Sequence, residues 1–307
     1  MQVLPWIRIG TRGSPLALAQ AHQIRQQLSQ AHGIPEARLE VVVIRTTGDM
    51  IQDRALSEAG GKGLFTKELD AAMIEGRIDI AVHSSKDLPT ILPAEICVTG
   101  YTAREDVRDV FIGRNNQTLM ALAAGARIGT ASLRRAAMVK RLRPDLEISL
   151  LRGNVETRLR KVQAGDVDGT LLALAGLKRL GLAASATEIL SEEQFLPAVG
   201  QGAIGITARG GDSLTRQKIE AICDIKTFHA LNAERAFLRV LDGSCRTPIA
   251  GLARVGGEQI SFRGMILDKD GSQCFEISRD APVSEAENLG IECGRTLLER
   301  APPDIFA

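Results

Sequence analysis

The chain has 307 residues, room for two or three domains and a substantial core. Its 38 Lys and Arg offset 37 Asp and Glu to a net charge of +1, which excludes a general electrostatic field for nucleic acid or an anionic membrane surface. Aromatics at 3% are too sparse for a base-stacking platform, and no apolar run is long enough to span a bilayer.

Met1 to Arg8 lacks a signal-peptide pattern, which predicts a cytoplasmic protein. Ile7–Thr11 reads as a short strand, after which Ser14 and Pro15 supply an N-cap and a first-turn proline for a helix reaching about His32. Leu39–Arg45 is a second, valine-rich strand, followed by a loop-like segment from Thr46 to Gly63. A helix is expected over Leu64–Glu75, stopped by Gly76. Ile78 to Val82 can fill a buried strand and run straight into His83, Ser84, Ser85, Lys86 and Asp87, before Leu88-Pro89 ends the element. Ligands of open α/β sheets sit at the carboxyl ends of strands, so this polar cluster is a candidate site; a solvated loop with a helix cap fits the same residues. The alternation of strands and helices predicts an α/β domain.

A second unit of the same kind begins near Ala103. Strands are expected at Asp109–Gly113, Arg127–Thr130, Glu147–Leu151 and Gly169–Leu174, with helices over Ser132–Arg143 and Asn154–Ala164. Ala203–Ala208 is strand-like and suited to returning the chain to the first sheet. After about Ala221 a helix over Lys226–Leu241, three strand-like runs between Ile249 and Ser278, and a helix over Ser284–Arg300 describe a smaller α+β domain. The expected domains are therefore 1–102 with 203–220, 103–202, and 221–307.

Several motifs fail on context. Gly61-Lys62 is followed by Gly63 rather than Ser or Thr, so no Walker A loop is present. Gly200–Gly205 matches G-x-G-x-x-G but leads into a strand, not a helix. Ser84-Ser-Lys86 has no nucleophile elbow around it. His22, His32, His83 and His229 lack metal-ligand spacing, so no metal is expected. Cys97, Cys223, Cys245, Cys274 and Cys293 are scattered and odd in number, which predicts reduced thiols rather than disulfides or a zinc site. Cys245 differs from the others: it lies in a Gly/Ser/Pro turn beside Arg246, suited to exposure and a lowered pKa.

Arginine placement carries the functional signal. Arg134 and Arg135 occupy the first turn of the helix capped by Ser132, where cations oppose the macrodipole. Two solvated arginines would explain them; so would an anion held at the helix N-terminus, on which both guanidiniums converge. Arg152-Gly-Asn154 opens the next helix, which contributes Arg158 off its packing stripe of Val155, Leu159 and Val162. With Arg12 and Lys86 also following strands, these cations describe a cleft for a carboxylate- or phosphate-rich ligand.

The ordered motifs Ile9-Gly-Thr-Arg-Gly-Ser-Pro-Leu-Ala-Leu18, Gly60-Gly-Lys-Gly-Leu-Phe65, Ala81-Val-His-Ser-Ser-Lys-Asp-Leu-Pro89, Ser132-Leu-Arg-Arg135, Leu151-Arg-Gly-Asn154, Ala175-Gly-Leu-Lys-Arg179, Pro197-Ala-Val-Gly-Gln-Gly202 and Gly243-Ser-Cys245 cover nearly the whole chain. Through them the sequence closely resembles the porphobilinogen deaminase (hydroxymethylbilane synthase) family. The resemblance implies an α/β protein of three domains: two periplasmic-binding-protein-like (type II) α/β domains with crossing connections, and a small α+β domain. It further implies a transferase of heme and tetrapyrrole biosynthesis, acting as a monomer. Such an enzyme joins four porphobilinogen molecules head to tail on a covalent dipyrromethane primer, releasing ammonia each time, and hydrolyses off the linear tetrapyrrole.

Carried over residue by residue, Cys245 is the thioether attachment site and Asp87 the catalytic carboxylate that contacts pyrrole N–H groups. Arg12, Lys86, Arg134, Arg135, Arg152, Arg158 and Arg179 would bind acetate and propionate groups, with Ser14, His83, Ser84, Thr130, Ser132 and Gln201 as supporting polar residues. Asp49, Lys62 and Phe65 belong to a loop expected to exclude water. Glu58 departs from the family at a loop position where many members carry lysine, and Ala131 and Ser244 replace residues that are often Ser and Gly. The competing class is a non-catalytic binding protein for small polyanions, which the first two domains alone would suit.

Overall fold

The structure is a computed structural model that describes residues 5–50, 63–241 and 248–306, without the side chains of Asp49, Met50, Asp304 and Phe306. These residues form two compact units, one of residues 5–50, 63–105 and 203–228, the other of 106–202, 229–241 and 248–306.

The first unit opens with β1 (Ile7–Thr11), whose Ile7 and Ile9 are fully buried. The Ser14 hydroxyl caps α1 (Pro15–His32) by accepting from the Ala17 N–H at 3.4 Å, and Gly33 closes that helix in the left-handed region at φ 62°. Then come β2 (Leu39–Val43), the single turn α2 (Thr47–Met50), α3 (Lys67–Ile74), β3 (Ile80–Ser84) and β4 (Ile96–Tyr101). Ile80, Ala81, Val82 and His83 are all buried, as a central strand covered on both faces requires. Ile24 and Leu28 of α1 pack on one face of the sheet, and Leu69 and Met73 of α3 on the other.

In the second unit, β5 (Asp109–Gly113), β6 (Arg127–Gly129), α4 (Leu133–Leu142), β7 (Glu147–Ser149), α5 (Val155–Ala164), β8 (Gly169–Ala173), α6 (Leu174–Arg179) and β9 (Glu188–Ile189) build a second five-stranded sheet. The chain then re-enters the first sheet as β10 (Ile204–Arg209), followed by α7 (Ser213–Glu220) and α8 (Ile225–Val240). Its last part is an antiparallel meander of β11 (Ile249–Gly256), β12 (Gln259–Leu267) and β13 (Cys274–Pro282), with α9 (Ala286–Arg300) against it.

The first sheet runs β2-β1-β3-β10-β4 and the second β7-β6-β8-β5-β9. In each, the first three strands are parallel and the fourth opposes both of its neighbours. Ala250, Leu252, Met265 and Leu267 of the meander share one core with Phe111, Met138, Leu171 and Leu196 of the second sheet and its helices.

The structure moves one boundary that matters to the site. β3 starts at Ile80 rather than Ile78 and runs through His83 and Ser84, because β10 arrives from far along the chain and pairs with both. The polar cluster therefore begins inside the sheet, and only Ser85–Asp87 form the turn beyond it. The sequence reading assigns no element to β4, α6, β9 or α7 and reads Thr46–Gly63 as loop; the structure adds these four and the turn α2 within that segment.

Candidate active site

In the first unit, Asp87 lies in a single 3₁₀ turn at the carboxyl end of β3. Arg12, directly after β1, places its Nη1 3.8 Å from Asp87 Oδ2. The Arg12 guanidinium also lies over the Phe65 ring, 4.0 Å from its centroid, a cation–π contact that fixes the plane of the group. Phe65 in turn covers the backbone of Gly48, where a β-carbon would come within 2.5 Å of the ring. Lys86 and Asp87 are exposed, whereas Ser85 between them is buried and anchored by its N–H to the Ala203 carbonyl at 3.0 Å.

His83 and Ser84 face inward. His83 Nε2 lies 3.1 Å from the Thr207 hydroxyl; burial, assisted by the Arg12 charge, pushes its pKa down to about 3. A ring that stays neutral at physiological pH supports the strand rather than delivering protons. Ser84 Oγ accepts from Gln20 Nε2 at 2.9 Å and donates to Gln20 Oε1 at 3.2 Å. Gln20 escaped the sequence reading, although a glutamine on the buried stripe Ala17, Ala21, Ile24 and Leu28 signals a polar partner.

In the second unit, Ser132 caps α4 by accepting from the Arg135 N–H, and its own N–H donates to Thr130 Oγ1 at 3.1 Å. The anion on which Arg134 and Arg135 converge is internal. Arg134 Nη2 reaches Asp109 Oδ2 at 2.6 Å, while Arg135 Nε and Nη2 reach Oδ1 at 3.0 and 2.6 Å. Nη1 of each extends to a carbonyl, Arg134 to Leu196 at 2.8 Å and Arg135 to Leu171 at 3.0 Å, whereas Arg134 Nε is buried without a hydrogen-bond partner among the described residues. The arginine side chains are 5% and 7% exposed and Asp109 is fully enclosed, so neither pair is a solvated one. Burial holds the Arg134 pKa below its ordinary value, while Asp109 opposes that shift. Asp109 also escaped the sequence reading; its signal is an acid opening an otherwise apolar buried strand.

The other cations are less enclosed. Arg152 is half-buried after β7, and Arg158 on α5 donates from Nε to the Gly153 carbonyl at 2.9 Å, bracing the loop that carries Arg152. Arg179 ends α6 and donates to the Gly202 carbonyl at 2.8 Å; its neighbour in that loop, Gln201, is fully buried and bonds the Val107 carbonyl at 2.8 Å. Glu234 of α8 holds the same loop from below, accepting from Gly200 N–H at 2.7 Å and Ala253 N–H at 2.8 Å.

Cys245, Lys62, Glu58 and Ser244 lie outside the described residues, as does the side chain of Asp49. Cys223, Cys274 and Cys293 are pushed up to about 11 by burial, which leaves them unreactive. Among the described residues, no group of three His, Cys, Asp or Glu forms a metal-binding set, and no helix is long and apolar enough to cross a membrane.

Two five-stranded α/β sheets of the same strand order, each presenting cations at the carboxyl ends of its strands, define a two-sheet α/β protein with a small antiparallel meander. Family comparison narrows the class. Residues 7–217 match the model described as "Porphobilinogen deaminase, dipyromethane cofactor binding domain", and residues 228–299 match "Porphobilinogen deaminase, C-terminal domain". Porphobilinogen deaminases of Nitrobacter winogradskyi and Nitrobacter hamburgensis are each 55% identical over 298 residues, 97% of this chain and 94% of theirs. The chain belongs to the porphobilinogen deaminase family, a family of transferases with a dipyrromethane cofactor. Among solved structures, a YaeC-family lipoprotein from Enterococcus faecalis V583 aligns at 12% identity over 72% of this chain and 92% of its own, with a TM-score of 0.41, too remote to bear on function.

The residue types suit the cofactor. A dipyrromethane bears carboxylates on both rings, and one unit carries three partly buried guanidiniums, Arg152 after β7, Arg158 on α5 and Arg179 at the end of α6.

Proposed function

We propose that the chain is a monomeric cytoplasmic enzyme that condenses four porphobilinogen molecules head to tail and releases hydroxymethylbilane, with Asp87 as its catalytic carboxylate and Cys245 as the thioether attachment point. The observation that carries the reading is the Arg12–Asp87 pair at the carboxyl ends of β1 and β3. When bound, dipyrromethane supplies the primer to which substrate rings are added.

The residues of the chain do the rest. Asp87 accepts from the pyrrole N–H and stabilises the positive charge that develops on that nitrogen as ammonia leaves. Arg12 and Lys86 flank it and bind the acetate and propionate of the reacting ring, which sets the ring's orientation. Phe65 keeps the Arg12 guanidinium in plane. In the second unit Arg152, Arg158 and Arg179 bind carboxylates of rings already joined, while Thr130 and Ser132 shape the turn into α4 and Gln201 holds the loop that Arg179 reaches. Arg134 and Arg135 leave net positive charge at the start of α4, since two guanidiniums share the single carboxylate of Asp109.

Intact-mass measurement tests the reading. The purified wild-type protein is expected to carry two linked pyrrole units that are absent in Cys245→Ser, and to release ammonia from porphobilinogen. Asp87→Ala is expected to fold normally, keep the added mass and lose at least ~100-fold in turnover, as removal of an electrostatic stabiliser does. An unmodified wild-type chain that still makes tetrapyrrole would overturn the thioether assignment, and near-normal turnover by the alanine variant would remove Asp87 from its role.

A further inference from the structure

The two five-stranded sheets repeat one another strand for strand: β1 corresponds to β6, β2 to β7, β3 to β8, β10 to β5 and β4 to β9. Local sequence fixes the register of the match. Ile9-Gly-Thr11 in β1 has its counterpart in Ile128-Gly-Thr130 across the end of β6. Both threonines are buried, and Ser14 and Ser132 just beyond them each cap the following helix. Across the sheets, Gly10 pairs with Val42 in β2 and Gly129 with Ser149 in β7. Three positions past those partners, Arg45 stands where the second unit has Arg152.

We infer that Arg45 is a further carboxylate-binding residue of the substrate site, the first unit's counterpart of Arg152; this rests on the role given to Arg152 above. Three observations support it. The backbone leading to Arg45 is held beside Arg12, because Ile44 N–H donates to the Thr11 carbonyl at 2.8 Å and extends the ladder past the end of β2. Arg45 is exposed and has no hydrogen-bond or ion-pair partner among the described residues, whereas Arg8 and Arg25 in the same unit are held by Asp79 and Glu36. The Arg12 charge is already shared with Asp87, so a ring bearing two carboxylates needs further cations at this end of the sheet. The sequence does not advertise the position, since Arg45 belongs to no motif and only the correspondence of the two sheets singles it out.

Steady-state kinetics on the full-length, cofactor-loaded enzyme with porphobilinogen provide the test. Arg45→Gln is expected to raise KM roughly five-fold, the upper end for an exposed ion pair, with kcat little changed. Arg45→Lys should restore most of the loss. Arg127→Gln, an exposed arginine at the opposite end of β6, serves as the charge-loss control and should leave KM unaltered. If Arg45→Gln behaves like Arg127→Gln while Arg152→Gln raises KM, the assignment of Arg45 falls and the role of Arg152 stands. Should neither Arg45→Gln nor Arg152→Gln move KM, both assignments fall together.

Discussion

Asp109 shows how one side chain can be indispensable without touching substrate. Its two oxygens are shared by two guanidiniums that are almost completely withdrawn from water, and the three side chains tie β5 to the start of α4. Asp109→Asn leaves both arginines without a counter-charge, for which ~3–5 kcal/mol of lost stability is expected. The exposed Glu75–Arg77 pair, at 2.7 Å, has equally good geometry, yet Glu75→Gln should cost less than about 1 kcal/mol because solvent screens it. Urea denaturation of the two variants measures the contrast. Equal, small effects would mean that the second unit relaxes to admit water at Asp109.

At the scale of elements, α3 carries a built-in pH dependence. Burial on the inner face of this helix pushes Asp70 up to about 6, against a Thr66 hydrogen bond that favours the charged form. Its unfolded value is 3.8, so between about pH 4 and 6 the folded chain holds a proton that the unfolded chain releases. The folded state is favoured by this group at low pH, and that contribution is lost as pH rises through 6. Asp70→Asn should therefore stabilise the protein by on the order of 1–2 kcal/mol at pH 7.5 and by nothing at pH 4. Thermal melts at the two pH values check it; a variant less stable at both would show that Asp70 is ionised and well paired. The same helix illustrates what its sequence reveals. Periodic apolar residues and Gly76 make α3 legible, as Ser14, Pro15 and Gly33 do for α1, and Asp87 and Arg12 are legible because both follow strands. What local pattern cannot show is pairing across the chain: that β10 would extend β3 to Ser84, or that Asp109 would claim Arg134 and Arg135. β4 is hard to read for a related reason, since among the described residues it pairs with a strand more than a hundred residues later.

Over the whole molecule, the two compact units do not coincide with runs of sequence. The meander β11–β12–β13 contributes Ala250, Leu252, Met265 and Leu267 to a core that also contains Phe111, Met138 and Leu196. Expressed alone, residues 229–307 would expose those side chains to water, and no cooperative melting transition is expected from the fragment. A sharp calorimetric transition from it would show that the meander and its helices suffice as a core. The placement of β10 has a different consequence, which appears while the chain is being made. All five strands of the second sheet lie within residues 109–189 and can pair as soon as they leave the ribosome. The first sheet begins earlier but finishes later: among the described strands, β4 has no neighbour, and one edge of β3 stays open, until β10 emerges. Order of synthesis and order of completion are thus reversed, and the strand bearing the candidate catalytic turn waits longest for its partner.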